Sequence, residues 1–203
     1  MMKYLDDMEK DISKGIITSR VLTGGFKFLN ENDKKSIIYN DPFYIPFFYH
    51  LGKRINPVCF FEMGFDLSLI SSCFLKSCKS VEYFLAFQQK TQDSYNEKLA
   101  ISNLKINYKK DFNYYCGNFF DEGFLYHFDK KDFDLIIINS QDNYDKLFAA
   151  VEYSYMRLKD NGYLVFNNLN ANKNKEIFLN IAIGYKKEYK VLGTKYSVGI
   201  LEK

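Results

Sequence analysis

The sequence predicts an α/β fold built on a doubly wound, mostly parallel sheet of about seven strands. From Val58 onward, short apolar runs alternate with longer segments that carry apolar residues at helical spacing. Strands that alternate with helices favour a parallel sheet. The last two predicted strands are joined only by a turn around Gly193-Thr194. A turn that short does not allow a crossover, so this pair is expected to run antiparallel at one edge of the sheet.

Length and composition agree with one such domain. The chain has 203 residues, which is enough for a proper core, and its 47% apolar content excludes a disordered chain. A formal net charge of +3 is too small to indicate nucleic-acid binding, and no nucleic-acid motif is present. No apolar stretch reaches the roughly 20 residues that span a bilayer, and residues 1–13 lack a leader pattern. The expected compartment is the cytoplasm, with no membrane partner.

The first fifth of the chain is predicted to be separate from this domain. Weak helical signals over residues 1–41 are interrupted by glycines and indicate a helical N-terminal extension, followed by the α/β domain over 42–203. That domain begins with a helix over 43–55, which ends in Lys53-Arg54. Basic residues suit a helix C-terminus because they interact favourably with the helix dipole.

The remaining elements follow in alternation. Apolar or aromatic runs predict strands over 58–63, 81–87, 113–116, 135–138, 163–166, 188–192 and 196–201. Helical spacing predicts helices over 68–78, 94–105, 122–126, 144–158 and 173–185. Ser68 is the expected N-cap of the first of these helices, and Gly162 is expected to close the helix over 144–158.

The strongest single signal is the fourth strand with the loop that follows it. Residues 133–144 read F-D-L-I-I-I-N-S-Q-D-N-Y. This segment resembles strand four of the class I methyltransferases that use S-adenosylmethionine, of the small O-methyltransferase type, where the pattern is Y-D-L-I-F-I-D-G-x-H-x-Y. The apolar frame and Tyr144 are kept. Asn139 stands for Asp, Ser140 for Gly and Asp142 for His.

The first strand and its loop resemble the same family. Residues 58–68 read V-C-F-F-E-M-G-F-D-L-S, against V-L-E-I-G-x-G-x-G-x-S. Glu62 and Gly64 match, whereas Asp66 and Ser68 occupy glycine positions. In the family those glycines let the backbone approach the methionine part of the cofactor. The resemblance therefore implies that Asp66 obstructs the cofactor and repels its carboxylate by roughly 1 to 4 kcal/mol at ~4 Å.

The second and third strands carry the remaining expected cofactor contacts. The family ends its second strand in an acidic residue that holds both ribose hydroxyls, and Gln88 takes that place here, or Phe87 under a one-residue shift. Loss of a charged bidentate contact puts roughly 1.5 to 3 kcal/mol at risk. After the third strand, Asn118 is similar to the family's G-D/N segment near the adenine and is intact.

The end of the fifth strand completes the comparison. Residues 165–170 read V-F-N-N-L-N, where metal-dependent members often have V-x-D-D. Asn139, Asn167 and Asn168 replace carboxylates that bind Mg²⁺ in those members, and Mg²⁺ prefers anionic oxygens. No metal is therefore expected. Because ligands bind at the carboxyl ends of such strands, Gly64, Gln88, Asn139 and Asn167 should cluster at one end of the sheet.

Other reactive groups have simpler interpretations. The four cysteines show no tight metal-ligand spacing, and those in predicted core elements, such as Cys59 and Cys73, are expected to be small core hydrophobes. His50 and His127 are far apart in sequence and are expected to be solvated or packed. No catalytic residue can be assigned.

The resemblance therefore implies a methyltransferase-like protein with a degenerate cofactor site. The expected loss of binding free energy is ~2 kcal/mol for the ribose contact and ~2 kcal/mol for the loop. Together these losses would weaken an assumed micromolar S-adenosylmethionine site to a millimolar one. The expected protein is weak or inactive in methyl transfer and acts through binding or assembly, with a small molecule or a protein as partner. One alternative is an active, metal-independent O-methyltransferase acting on a small molecule or sugar. Another is a nucleotide or nucleotide-sugar binder that uses the same crevice.

Overall fold

The computed structural model describes residues 5, 7, 44–65, 68–89, 94–108, 112–140, 143–171, 173–192 and 197–203. These residues belong to two compact units. Apart from Leu5 and Asp7, the predicted N-terminal extension lies outside the described residues, so its boundary at residue 41 stays a prediction. Asp66, Asp142 and the predicted turn at 193–194 also lie outside them.

The sheet unit contains all seven strands and three of the helices. The strands are β1 (Cys59–Met63), β2 (Tyr83–Gln89), β3 (Asn113–Gly117), β4 (Phe133–Ile138), β5 (Leu158–Phe166), β6 (Tyr189–Leu192) and β7 (Val198–Glu202). Their order in the sheet is β3-β2-β1-β4-β5-β7-β6. Neighbours among β1 to β5 pair parallel, whereas β7 pairs antiparallel with both β5 and β6. The predicted mostly parallel sheet with an antiparallel C-terminal pair is confirmed.

The helical unit contains α1 (Tyr44–Ile55), α2 (Leu69–Ser77) and α3 (Ser94–Asn107), and the helices of the sheet unit are α4 (Glu122–Phe128), α5 (Tyr144–Met156) and α6 (Asn174–Gly184). The predicted helices are thus present, with shifted ends. His127 lies in the last turn of α4 instead of after it. Among the helices of the described part, none has the length and apolar character needed to cross a membrane.

Two details of the predicted elements are wrong. Gly162 lies inside β5 and does not close the preceding helix, which ends at Met156. The reason is that the segment after the helix is recruited to the sheet: Leu158 pairs with Phe133, and Gly162 accepts a hydrogen bond from the Lys203 amide. Ser68 precedes α2 but does not cap it, because its hydroxyl donates to the carbonyl oxygen of Ala100 at 3.0 Å.

Aromatic side chains fill the core of the sheet unit. Phe61 is fully buried in β1, with its ring 4.9 Å from that of Phe128 and 5.6 Å from that of Phe133. Cys59 lies on the same face of β1 and is buried too, and burial raises the pKa of its thiol to about 11. A thiol with that pKa is neutral at physiological pH, so Cys59 behaves as a small core hydrophobe.

At the amino ends of the central strands, one carboxylate links three of them. Asp134 in β4 accepts hydrogen bonds from the amides of Val58 and Cys59 through Oδ2, at 3.0 and 2.7 Å. Its Oδ1 lies 2.8 Å from the ammonium group of Lys159 in β5. Asp134 therefore fixes the start of β1 and β5 relative to β4.

In the helical unit, α1 contacts α2 closely at Gly52. A Cβ atom at Gly52 would lie 2.2 Å from the hydroxyl oxygen of Ser77 and 3.0 Å from the ring of Phe74. The Cys78 thiol donates to the Gly52 carbonyl oxygen at 2.9 Å. Only a residue without a side chain allows the two segments to approach this closely.

We expect Gly52→Ala to lower the free energy of unfolding by about 1–3 kcal/mol, because the added methyl group overpacks this contact. In an unpacked helix the same change would stabilise by up to about 1 kcal/mol. Gly184→Ala is the matched control, since a Cβ there meets nothing within 4 Å. Urea denaturation of both variants tests this. Equal or increased stability of Gly52→Ala would show that the contact is loose.

Candidate functional site

The carboxyl ends of β1 and β4 meet at a close crossing of two backbones. Gly64 follows β1 with φ +85°, and a Cβ there would lie 2.5 Å from the carbonyl carbon and oxygen of Asn139. The Gly64 amide donates to the Phe87 carbonyl at 2.8 Å, and the Asn139 amide donates to the Met63 carbonyl at 2.7 Å. Both the positive φ and the lack of space require glycine at position 64.

A chain of side-chain amides extends this crossing to β5. Asn139 donates from Nδ2 to the Gly64 carbonyl oxygen at 2.9 Å, and its Oδ1 accepts from Nδ2 of Asn167 at 2.6 Å. The Asn167 backbone amide in turn donates to the carbonyl of Ile138 at 2.8 Å. We call Gly64, Asn139 and Asn167 the amide chain. It connects the ends of β1, β4 and β5 through alternating donors and acceptors.

The amide chain is neutral and largely hidden from solvent. Asn167 is 2% exposed, and its Oδ1 has no hydrogen-bond partner among the described residues. Next to it, Asn168 adopts φ 55°, and its carbonyl accepts from Nδ2 of Asn174 at 3.1 Å. No group of three histidine, cysteine or carboxylate side chains that could hold a metal ion occurs in the described part of the chain. Side-chain amides supply no negative charge to offset that of Mg²⁺, so these residues fit a divalent cation poorly.

A cavity of about 180 Å³ opens beside the amide chain within the sheet unit. Its walls are mainly apolar, with polar groups from the ends of β2, β3 and β4 and from the first turn of α5. The lining residues are Met63, Phe87, Gln89, Asn118, Phe119, Phe120, Ser140, Lys146, Leu147 and Ala150. A concave apolar site with a few polar groups is typical of small-molecule binding.

The loop between β3 and α4 is held in place by Asp121. Its Oδ2 accepts from the hydroxyl of Tyr115 at 3.0 Å and from the amide of Asn118 at 3.2 Å. The hydrogen bond to Asp121 raises the pKa of the Tyr115 hydroxyl. Because Asn118, Phe119 and Phe120 all line the cavity, this loop geometry determines the shape of one wall.

The structure brings together the four residues that were expected to cluster. Gly64, Asn139 and Asn167 form the amide chain. Gln88 lies near the carboxyl end of β2, which pairs with β1. Asn118 lines the cavity, and Glu62 is fully buried in β1.

The other predicted cofactor contacts have different surroundings. Ser68 belongs to the helical unit. Tyr144 is packed against Phe148 with ring centroids 6.1 Å apart, and its hydroxyl accepts from Nδ2 of Asn180 at 3.1 Å. A cofactor-binding role for these residues stays a prediction.

Several cavity residues were not singled out from the sequence. Gln89 lines the cavity together with Phe87, whereas Gln88 is on the other face of β2, because successive side chains of a strand alternate. Counting two residues from the buried Phe87 would have identified Gln89. Lys146 carried a different signal: it stands in the first turn of α5, where a cation opposes the helix dipole.

We expect Asn139→Asp to destabilise the protein by about 1–3 kcal/mol at pH 8, because an oxygen would replace the group that donates to the Gly64 carbonyl. Burial and the facing carbonyl disfavour ionisation, so the pKa of the introduced carboxyl group should lie above its usual value of about 3.9. A protonated group can donate again. The loss should therefore be smallest below about pH 4 and grow as the pH rises through the raised pKa.

Urea denaturation at pH 4.5 and pH 8 measures this difference. Asn143→Asp is the control, because Asn143 is exposed and its side chain accepts from the Asp145 amide, which a carboxylate also does. An Asn139→Asp protein as stable as the parent at pH 8 would contradict the assigned direction of the Asn139 amide.

Solved structures with the same arrangement of elements identify the fold. No family model and no curated protein matches this sequence. The S-adenosylhomocysteine-bound methyltransferase PaMTH1 from Podospora anserina matches with a TM-score of 0.70 and 10% identity, over 98% of this chain and 94% of that one. A putative caffeoyl-CoA O-methyltransferase from Staphylococcus aureus matches with a TM-score of 0.68 and 16% identity, over 99% and 98%.

An O-methyltransferase from Bacillus cereus in complex with S-adenosylhomocysteine also matches, with a TM-score of 0.62 and 12% identity, over 98% of this chain and 90% of that one. At these identities the likeness establishes the fold. This chain has the fold of the class I S-adenosylmethionine-dependent methyltransferases.

Proposed function

We propose that this protein is a methyltransferase-like binding protein whose S-adenosylmethionine site has decayed. It binds that cofactor weakly, transfers methyl groups weakly or not at all, uses no metal, and acts through binding of a small molecule or assembly with a protein partner. The observation that carries this proposal is the amide chain. Its members hydrogen-bond to one another, with Oδ1 of Asn167 left over, and it is neutral where a metal-dependent enzyme of this fold needs negative charge.

The cofactor's own chemistry supports the same conclusion. S-adenosylmethionine carries a ribose diol, an ammonium group and a sulfonium group, which all favour a carboxylate partner. At the described strand ends, Gln88, Asn139 and Asn167 offer amides only. A neutral acceptor forms weaker hydrogen bonds than a charged one, so the cofactor loses affinity without losing the shape of its site.

The alternative is an active, metal-independent O-methyltransferase acting on a small molecule or sugar. It is supported by the cavity beside the strand ends, which remains open in the sheet unit. It is also supported by PaMTH1, a structure bound to S-adenosylhomocysteine that matches over 94% of its length. The two proposals differ in one measurable quantity, the affinity for this cofactor.

Titration calorimetry with S-adenosylmethionine and S-adenosylhomocysteine separates them. We expect dissociation constants no tighter than about 100 μM, because Gln88 in place of a carboxylate and Asp66 in place of a glycine are together expected to cost about 4 kcal/mol relative to a micromolar site. A low-micromolar constant for either ligand would contradict the decayed-site proposal and favour the active enzyme.

We expect Gln88→Asp to strengthen binding of S-adenosylhomocysteine about tenfold, because it restores a charged acceptor for the ribose hydroxyls at the end of β2. Asn113→Asp is the charge-matched control, since Asn113 is exposed at the opposite end of the adjacent strand β3. Both variants are titrated under identical conditions. If Gln88→Asp binds no better than the parent and remains folded, the side chain at position 88 does not contact the ribose.

A further inference from the structure

The cavity of the sheet unit differs in charge from a site built for a cationic cofactor. Lys146 is the charged residue among the described residues that line it, and its other polar groups are the neutral side chains of Gln89, Asn118 and Ser140. A cavity whose one charged group is an ammonium attracts anions and disfavours cations. S-adenosylmethionine carries a sulfonium and an ammonium group against one carboxylate, so its net positive charge fits that of Lys146 poorly.

Lys146 stands where helix stability alone would not place it. It is in the first turn of α5, behind the N-cap Asn143, where the helix dipole favours an acidic residue. Asp145 and Lys146 are both exposed, but only Lys146 lines the cavity. Residues that break a local rule of stability are often retained for function.

Aromatic side chains line much of the rest of the cavity. Phe87, Phe119 and Phe120 give it aromatic walls, with the rings of Phe87 and Phe119 at 80° to each other and their centroids 5.5 Å apart. The amides of Gln89 and Asn118 offer both donors and acceptors at the polar side, as the edge of a nucleobase requires. Aromatic walls with amide groups are a common way to hold a base.

We propose that this cavity binds a nucleoside monophosphate, with the base against the aromatic walls and the phosphate held by Lys146. The inference rests on the proposed function in taking this cavity as the ligand site. It goes beyond it by naming an anionic nucleotide as the preferred ligand. The phosphate supplies negative charge to a cavity in which the charged group, Lys146, is positive.

Titration calorimetry of the full chain with adenosine and AMP tests the proposal. AMP should bind about fivefold more tightly than adenosine, as expected for a partly exposed ion pair. Lys146→Ala should abolish that difference by lowering the affinity for AMP to that for adenosine, and Lys146→Glu should reverse it. Lys175→Ala, a change at an exposed lysine in the first turn of α6, should keep the preference for AMP.

Several results of these titrations would contradict the proposal, each in a different part. Equal affinity for AMP and adenosine, or a preference for AMP that survives Lys146→Ala, would overturn the assignment of the phosphate to Lys146. Inorganic phosphate that binds as tightly as AMP would overturn the role of the aromatic walls. S-adenosylhomocysteine that binds at low micromolar concentration and more tightly than AMP would contradict this inference and the proposed function together. Weak binding of both AMP and S-adenosylhomocysteine would contradict this inference alone.

Discussion

The close crossing of the Gly64 and Asn139 backbones determines how β1, β4 and β5 meet at the carboxyl end of the sheet. A side chain at Gly64 would meet the Asn139 carbonyl at 2.5 Å, so β1 must end in glycine for β4 to continue past it. Once the two segments are that close, the Asn139 side chain reaches the Gly64 carbonyl and, on its other side, Asn167. This contact therefore brings together the neutral side-chain amides that form this end of the sheet.

β4 is held at its two ends by different chemistry. At its start, Asp134 uses a charge that is balanced by Lys159 near solvent. At its end, the half-buried Asn139 forms a neutral chain with the buried Asn167. Carboxylates gathered at the second place would repel one another until a cation arrived. Amides instead form donor-to-acceptor hydrogen bonds from Asn167 to Asn139 and from Asn139 to Gly64, which connect the strand ends without a ligand.

The strands of the sheet could be predicted from the sequence, whereas most of the residues that line the cavity could not. Continuous apolar runs such as that of β4 predict buried parallel strands because no other element buries both faces over so few residues. The prediction for Gly162 is wrong because β5 begins at Leu158, where it pairs with Phe133, a contact distant in sequence. The Ser68 hydroxyl was assigned to a local cap but bonds to Ala100, which is also distant in sequence. Gln89 and Lys146 line the cavity only because three strand ends and a helix converge there.

Hydrogen exchange of the side-chain amides, followed by NMR, tests the central claim most directly. If the amide chain exists as described, the Nδ2 protons of Asn139 and Asn167 exchange with solvent far more slowly than those of the exposed Asn143. Addition of Mg²⁺ leaves their signals in place. Fast exchange of both groups, or a shift of their signals at millimolar Mg²⁺, would contradict the account, because the amides would then be free to bind a ligand.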